Sequence, residues 1–219
     1  MPKLTKKEFE ITPFGVDLDL FNPNKKIRNK NDGVFIVGTV KALSDKYGIS
    51  YILKAVSLIR QKYPEIPIQL RIAGKGPQEQ EYKELAEKLM IQDITTWLGF
   101  ISQENAAIEW ANMDIAVIPS ESESFGVSAV EAQACGVPVI ISDIPGLMEA
   151  TKPEKTSFVV HRKSEKELAD AIVELYKDDK KRQEFGVQGR KYVEKMYELH
   201  NCFIKIENLY IDILTKIDL

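Results

Sequence analysis

Short, β-branched apolar runs alternate with longer segments of helical period along most of this chain, and that alternation narrows the fold more than any other feature. The runs are VFIVG at 34–38, QLRIAG at 69–74, ITTWLG at 94–99, DIAVIPS at 114–120, VPVIIS at 137–142 and SFVV at 157–160. Each is four to seven residues long and is bounded by Gly, Pro, Ser or a charge, as buried strands are. Between them, apolar residues recur every three to four positions over 51–62, 78–90, 106–113, 126–135 and 164–177. Ser164 and Glu167 stand at capping-box spacing at the start of the last of these. Two more helical segments are expected over 180–195 and 200–215. Strand–helix alternation at this spacing predicts an α/β fold: a Rossmann-like, doubly wound parallel sheet of about six strands with helices on both faces.

Composition agrees with one such domain. A chain of 219 residues, 44% hydrophobic and 29% charged, has enough apolar surface for a core without disulfide staples. Its net charge of −3 gives no basic footprint for nucleic acid, and the run Lys25–Lys30 reads as a solvated loop. Cys135 and Cys202 are too few for a disulfide framework and have no zinc-ligand spacing, so reduced thiols in a cytoplasmic protein are the simpler expectation. No stretch approaches the ~18–20 apolar residues of a membrane span.

In an open parallel sheet, ligands bind outside the carboxyl ends of the strands. The segments there are TVKALSDKYG with Lys41 and Lys46, GKGP with Gly76, GFIS at 99–102, PSESESFGVSAVEAQACG at 119–136, and SDIPGLME at 142–149. Neither G-x-G-x-x-G nor a P-loop is present, and no G-x-S-x-G elbow is found. His161 and His200 read as surface residues. The pair Glu123 and Glu131 is more telling. Were both helical, eight positions would separate them by ~12 Å along the axis. A pair acting on one glycosidic bond sits ~5–5.5 Å apart in a retaining glycosidase, so each carboxylate suits polyol hydroxyls instead. The alternative is that Glu121 and Glu123 are exposed loop acids and Glu131 satisfies a helix neighbour. Gly126 opens the helix that follows, where the amides of Val127 and Ser128 would face an anion, with Lys41 and Lys46 opposite.

These segments, in this order, resemble the C-terminal, nucleotide-sugar-binding half of the family 4 retaining glycosyltransferases of the GT-B fold. The motifs are ITPFGVDLDLFNP, GTVKALSDKYGISYILKA, LRIAGKGP, TTWLGFIS and ESFGVSAVEAQACGVPVI, the last with seven residues between Glu123 and Glu131. The resemblance implies that Glu123 contacts the donor sugar, that Glu131 holds the ribose, and that Lys46 and Lys41 meet the diphosphate. Lys41 stands where the family often has arginine, giving a point charge without the bidentate fork. It further implies backbone-amide contacts to the donor from Phe125, Gly126, Val127 and Ser128, a base site at Gly99, Phe100 and Ile101, and neighbouring roles for Gly76, Pro145, Gly146 and Glu149. Gly15 would border an interdomain cleft. The donor expected is a UDP-sugar, with a GDP-sugar second, and neither a cofactor nor a metal is required.

By the same resemblance, residues 1–31 form an interdomain-type segment, 32–197 the donor domain, and 198–219 a C-terminal helix packing on the domain or on an absent N-terminal one. Its stripe of Cys202, Phe203, Ile206, Tyr210, Ile213, Leu214 and Ile217 must pack on something. The implied activity is hexosyl transfer to a glycan or lipid-linked acceptor in polysaccharide biosynthesis. The implied partner is an N-terminal acceptor domain, without which little or no transfer is expected. Peripheral membrane association of the full enzyme is compatible with this reading. The alternative function is a non-catalytic nucleotide-sugar-binding subunit.

Overall fold

The computed structural model describes residue 12, residues 14–28 and residues 33–217, with side chains to 215. The expectations on residues 1–11, Pro13, residues 29–32 and residues 218–219 lie outside the described residues. Six strands, β1 (Phe35–Val40), β2 (Ile68–Ala73), β3 (Thr95–Gly99), β4 (Ile115–Ile118), β5 (Val139–Ser142) and β6 (Ser157–Val160), form one sheet. All neighbours are parallel and the order is β3-β2-β1-β4-β5-β6. Around it pack α1 (Ile49–Lys62), α2 (Glu79–Lys88), α3 (Gln103–Asn112), α4 (Val127–Ala134), α5 (Pro145–Ala150), α6 (Glu165–Lys177), α7 (Asp179–Met196) and α8 (Leu199–Ile217).

The strands read as unbroken apolar runs because both faces are covered. Along β1, Phe35 and Val37 enter one core with α1, α2 and α6, while Ile36 enters the other with α3, α4 and α5. β4 divides in the same way, Ile115 and Val117 to the first face and Ala116 and Ile118 to the second. Period-two alternation thus sorts one strand between two cores. Chain direction across the sheet reverses between β1 and β4. That is the topological switch point, where the carboxyl ends of two neighbouring strands leave a crevice.

Three local differences from the sequence reading have physical causes. The helix expected at 106–113 begins earlier, at Gln103, because the Ser102 side chain accepts from Asn105 N. The segment at 142–149, read as a loop, contains helix α5, opened by Pro145 at its first position. The capping box at α6 is half made. Ser164 Oγ accepts from Glu167 N (3.3 Å), but the Glu167 carboxylate turns to His161 N (2.9 Å).

The segment before β1 is built into the body. Val16 and Phe21 are buried in the second core, and Val16 N donates to Tyr197 O (2.7 Å). On α8, Cys202 is buried, whereas Phe203, Tyr210, Ile213 and Leu214 are exposed. The stripe therefore packs on the domain only at its start, at Cys202 and partly at Ile206. The side chain of Ile217 is outside the described residues.

Candidate functional site

Lys41 is the first residue after β1, and residues 119–126 follow β4, so the switch point brings together side chains 82 positions apart. The Lys41 ammonium pairs with Glu123 Oε1 and lies 3.4 Å from Ser128 Oγ. Ser128 Oγ donates in turn to the Val40 carbonyl (3.2 Å). The Lys41 and Glu123 side chains are only 12% and 6% exposed, so Glu123 is not an exposed loop acid. Glu123 Oε2 is buried and has no hydrogen-bond partner among the described residues. A buried carboxylate oxygen left open beside a cation is a costly arrangement. A hydroxyl-bearing ligand relieves it.

The loop is held from three sides. Glu121 N donates to Lys46 O (2.7 Å), which ties it to the turn before α1. The Glu121 carboxylate accepts from Tyr51 OH (3.0 Å) and pairs with Lys163 (2.9 Å). Lys163 foremost holds its carboxyl below the usual range, and burial beside it raises the Tyr51 phenol. From behind, Gly146 of α5 sits so close that a Cβ there would lie 2.8 Å from Ser124 C and 2.9 Å from Phe125 N.

Gly126 begins α4 in the left-handed region, at φ +93°, and a Cβ on it would stand 2.7 Å from Leu147 Cδ2. Glycine meets both demands. The first amides of α4, those of Val127 and Ser128, have no partner within the helix and carry its positive dipole end. Deeper along α4, Glu131 accepts from Trp110 Nε1 (3.2 Å). Burial raises its carboxyl pKa, against the opposing effects of the Trp110 N–H and the Lys41 charge.

Of these groups, Lys41 and Ser128 line a crevice of about 380 Å³, together with Tyr47, Gly74, Lys75, Phe100 and Ile101, among others; Glu123 reaches it through its pairing with Lys41. Phe100 is 78% exposed at its rim. The carbonyl of Gly99, at φ +65°, accepts from Gly74 N (2.7 Å). Lys46 stands at the mouth, exposed, with its ammonium 4.8 Å from the Tyr47 ring centroid. Gly76 lies against Leu43, whose carbonyl would collide with any Cβ there. Phe125 packs its ring on Tyr197 (5.3 Å) and Phe14 (6.4 Å), so any donor contact from this residue comes from its backbone, as expected. Pro145 and Glu149 lie on α5, where the Glu149 carbonyl accepts from Tyr197 OH (2.9 Å). Gly15 packs on α8, 2.6 Å separating its would-be Cβ from Leu199 Cα. Tyr47, Lys75 and Trp110 were not singled out in the sequence.

A larger crevice of about 460 Å³ opens at the opposite end of the sheet, by Val34, Asp114 and Pro138, away from both carboxylates. His161 is exposed and bonded to Glu167, which raises its pKa. Among the described residues, no group of three or more His, Cys, Asp or Glu is placed to hold a metal. Cys135 and Cys202 are both free and buried, and burial pushes the Cys135 thiol up to about 12.

The family model described as "Glycosyl transferases group 1" matches residues 21–192. A D-inositol 3-phosphate glycosyltransferase of Pseudarthrobacter chlorophenolicus is 33% identical over 184 residues, covering 81% of this chain and 44% of the relative. The chain spans about half the length of the curated relatives it matches. Sucrose-phosphate synthase from Thermosynechococcus elongatus superposes with a TM-score of 0.84 at 27% identity, over 94% of this chain and 53% of that one. The C-terminal domain of a glycosyl transferase group 1 family protein (LpcC) from Francisella tularensis has a TM-score of 0.74 at 23% identity, over 84% of this chain and all of that one. With this coverage and this sheet, the chain belongs to the group 1 glycosyl transferases and carries a C-terminal-like, Rossmann-like half of their GT-B architecture.

Proposed function

We propose that this chain is the donor-binding half of a retaining glycosyltransferase, and that it holds a nucleoside diphosphate sugar, UDP-linked first and GDP-linked second, for hexosyl transfer. The observation that carries the reading is Glu123 Oε2, buried, unpartnered and beside the Lys41 ammonium at the start of α4. A sugar hydroxyl satisfies that oxygen. The diphosphate then lies between Lys41 and the amides of Val127 and Ser128, with Lys46 at the mouth. As the bond from the anomeric carbon to the leaving phosphate breaks, negative charge builds on the diphosphate. Fixed cations and a helix N-terminus stabilise that charge without rearranging. Glu131 takes the ribose hydroxyls, and Phe100 and Ile101 flank the base.

The acceptor side comes from the other half of the enzyme, since this chain spans about half the length of its relatives. We therefore expect little or no transfer by this chain alone. Two free, buried thiols support a reducing, cytoplasmic setting. No helix among the described residues is long and apolar enough to cross a membrane.

A thermal-shift panel with UDP, GDP, ADP, UMP and NAD tests the reading. A ligand at 100 times its Kd adds about 2.7 kcal/mol, a rise of roughly 5–10 °C at this size. The reading predicts that rise with one nucleoside diphosphate and its loss in Glu131→Ala. An unshifted melt with every nucleoside diphosphate overturns it.

A further inference from the structure

Two cations meet one aromatic ring at the mouth of the crevice. Lys41 Nζ lies 4.5 Å from the Tyr47 ring centroid and Lys46 Nζ lies 4.8 Å from it. Tyr47 lines the crevice, whereas Lys46 does not. Both belong to a single 3-10 turn, Asp45–Tyr47, which ends on Gly48 at φ +72°. This turn is fastened to the loop that carries Glu123. Glu121 N donates to Lys46 O (2.7 Å), and Gly48 backs so closely on the Pro119 carbonyl that any Cβ would collide with it. The ring is therefore carried by the same rigid junction as the carboxylate.

We propose that Tyr47 is a positioning residue for the donor diphosphate: its ring holds the Lys41 and Lys46 ammonium groups at the crevice mouth, where the phosphates arrive. The inference rests on the donor-site reading above. An ammonium on a flexible four-carbon stem has many rotamers to lose on meeting an anion. A π face fixes it beforehand and leaves its remaining N–H donors free for phosphate oxygens. Lys41 already has Glu123 and Ser128 as partners. For Lys46, exposed and outside the crevice lining, the ring is the contact that turns its charge toward the site. Without the ring, Lys46 extends into solvent and Lys41 keeps only Glu123 and Ser128, so a second phosphate gains little over one. The hydroxyl of Tyr47 plays no part in this.

Calorimetric titration of the full chain with UDP and with UMP tests it. Tyr47→Leu removes the π face and keeps apolar bulk. We expect it to weaken UDP about five- to thirty-fold while UMP changes by less than about threefold. Tyr47→Phe keeps the face and should bind both within about twofold of the parent. Lys46→Met, at an exposed position that leaves folding intact, should reproduce part of the UDP-selective loss. Equal weakening of UDP and UMP in Tyr47→Leu would reduce Tyr47 to a crevice wall and overturn the proposal. So would a loss in Tyr47→Phe as large as that in Tyr47→Leu, or an unchanged UDP-to-UMP ratio in Lys46→Met. A parent chain that binds no nucleoside diphosphate removes the donor-site reading itself, a result distinct from parental binding that is indifferent to Tyr47.

Discussion

Removing the Lys41 ammonium should cost this protein more stability than any exposed ion pair could. In Lys41→Met the stem stays and the charge goes, leaving the Glu123 carboxylate with one side chain 6% exposed and neither oxygen paired to a cation. Exposed pairs contribute about 0–1 kcal/mol. Breaking a buried pair from one side costs about 3–5 kcal/mol, because the surviving charge is left without compensation. The exposures of 12% and 6% place Lys41 and Glu123 in the second regime. At about 2–4 °C per kcal/mol for a chain of this size, the melting temperature should fall roughly 6–20 °C. Urea denaturation of the parent, Lys41→Met, Glu123→Gln and the double variant completes the cycle. Glu123→Gln should lose less than Lys41→Met, since an amide oxygen still accepts from the ammonium. The double variant should recover much of the loss, because neither charge is then stranded, giving a coupling of about 2 kcal/mol or more. A Lys41→Met protein within about 1 kcal/mol of the parent, or single losses that simply add, would refute the buried-pair reasoning.

Two further perturbations separate other parts of the account. Gly126→Ala combines the left-handed backbone penalty of ~1–2 kcal/mol with ~1–3 kcal/mol for crowding Leu147 at 2.7 Å, for a total of about 2–5 kcal/mol. Gly33→Ala, at φ +75° with nothing within 4 Å, should lose only the first part, and equal losses in the two variants by urea melts would contradict this. Glu131→Gln tests the raised carboxyl. A folded-state pKa above the unfolded value stabilises at low pH, and that contribution is lost as pH rises through the folded value. The variant should therefore gain relative to the parent between about pH 4 and pH 7 while nucleotide binding weakens. Equal stability differences at the two pH values would contradict it.

The sheet was legible because parallel strands buried on both faces carry their signal in unbroken β-branched runs, and β6 falls at 157–160 as read. Helix α5 was not, since six residues opening Pro145-Gly146 look like a turn and gain their helix from packing against the Glu123 loop. The placement of Lys41 against Glu123 is a matter of topology. Strand order, not sequence spacing, makes β1 and β4 neighbours, and no local pattern reports it. Tyr47 was missed for a geometric reason. In a 3-10 turn the backbone sends successive Cβ atoms about 120° apart, so that Tyr47 rather than Lys46 lines the crevice is not visible in a linear reading, which favours the charged residue. Phe125 sits between the glutamate and the helix it precedes, yet its ring is spent on Tyr197, an aromatic 72 positions away that no local pattern could indicate.

The most direct test of the donor site is a crystal structure of this chain with UDP-glucose. The account predicts diphosphate oxygens within hydrogen-bond reach of Lys41 Nζ and of the Val127 and Ser128 amides, a glucose hydroxyl on Glu123 Oε2, and the ribose on Glu131. A nucleotide seated instead in the crevice by Val34, Asp114 and Pro138, or in the strand-end crevice with Glu123 untouched, would contradict it.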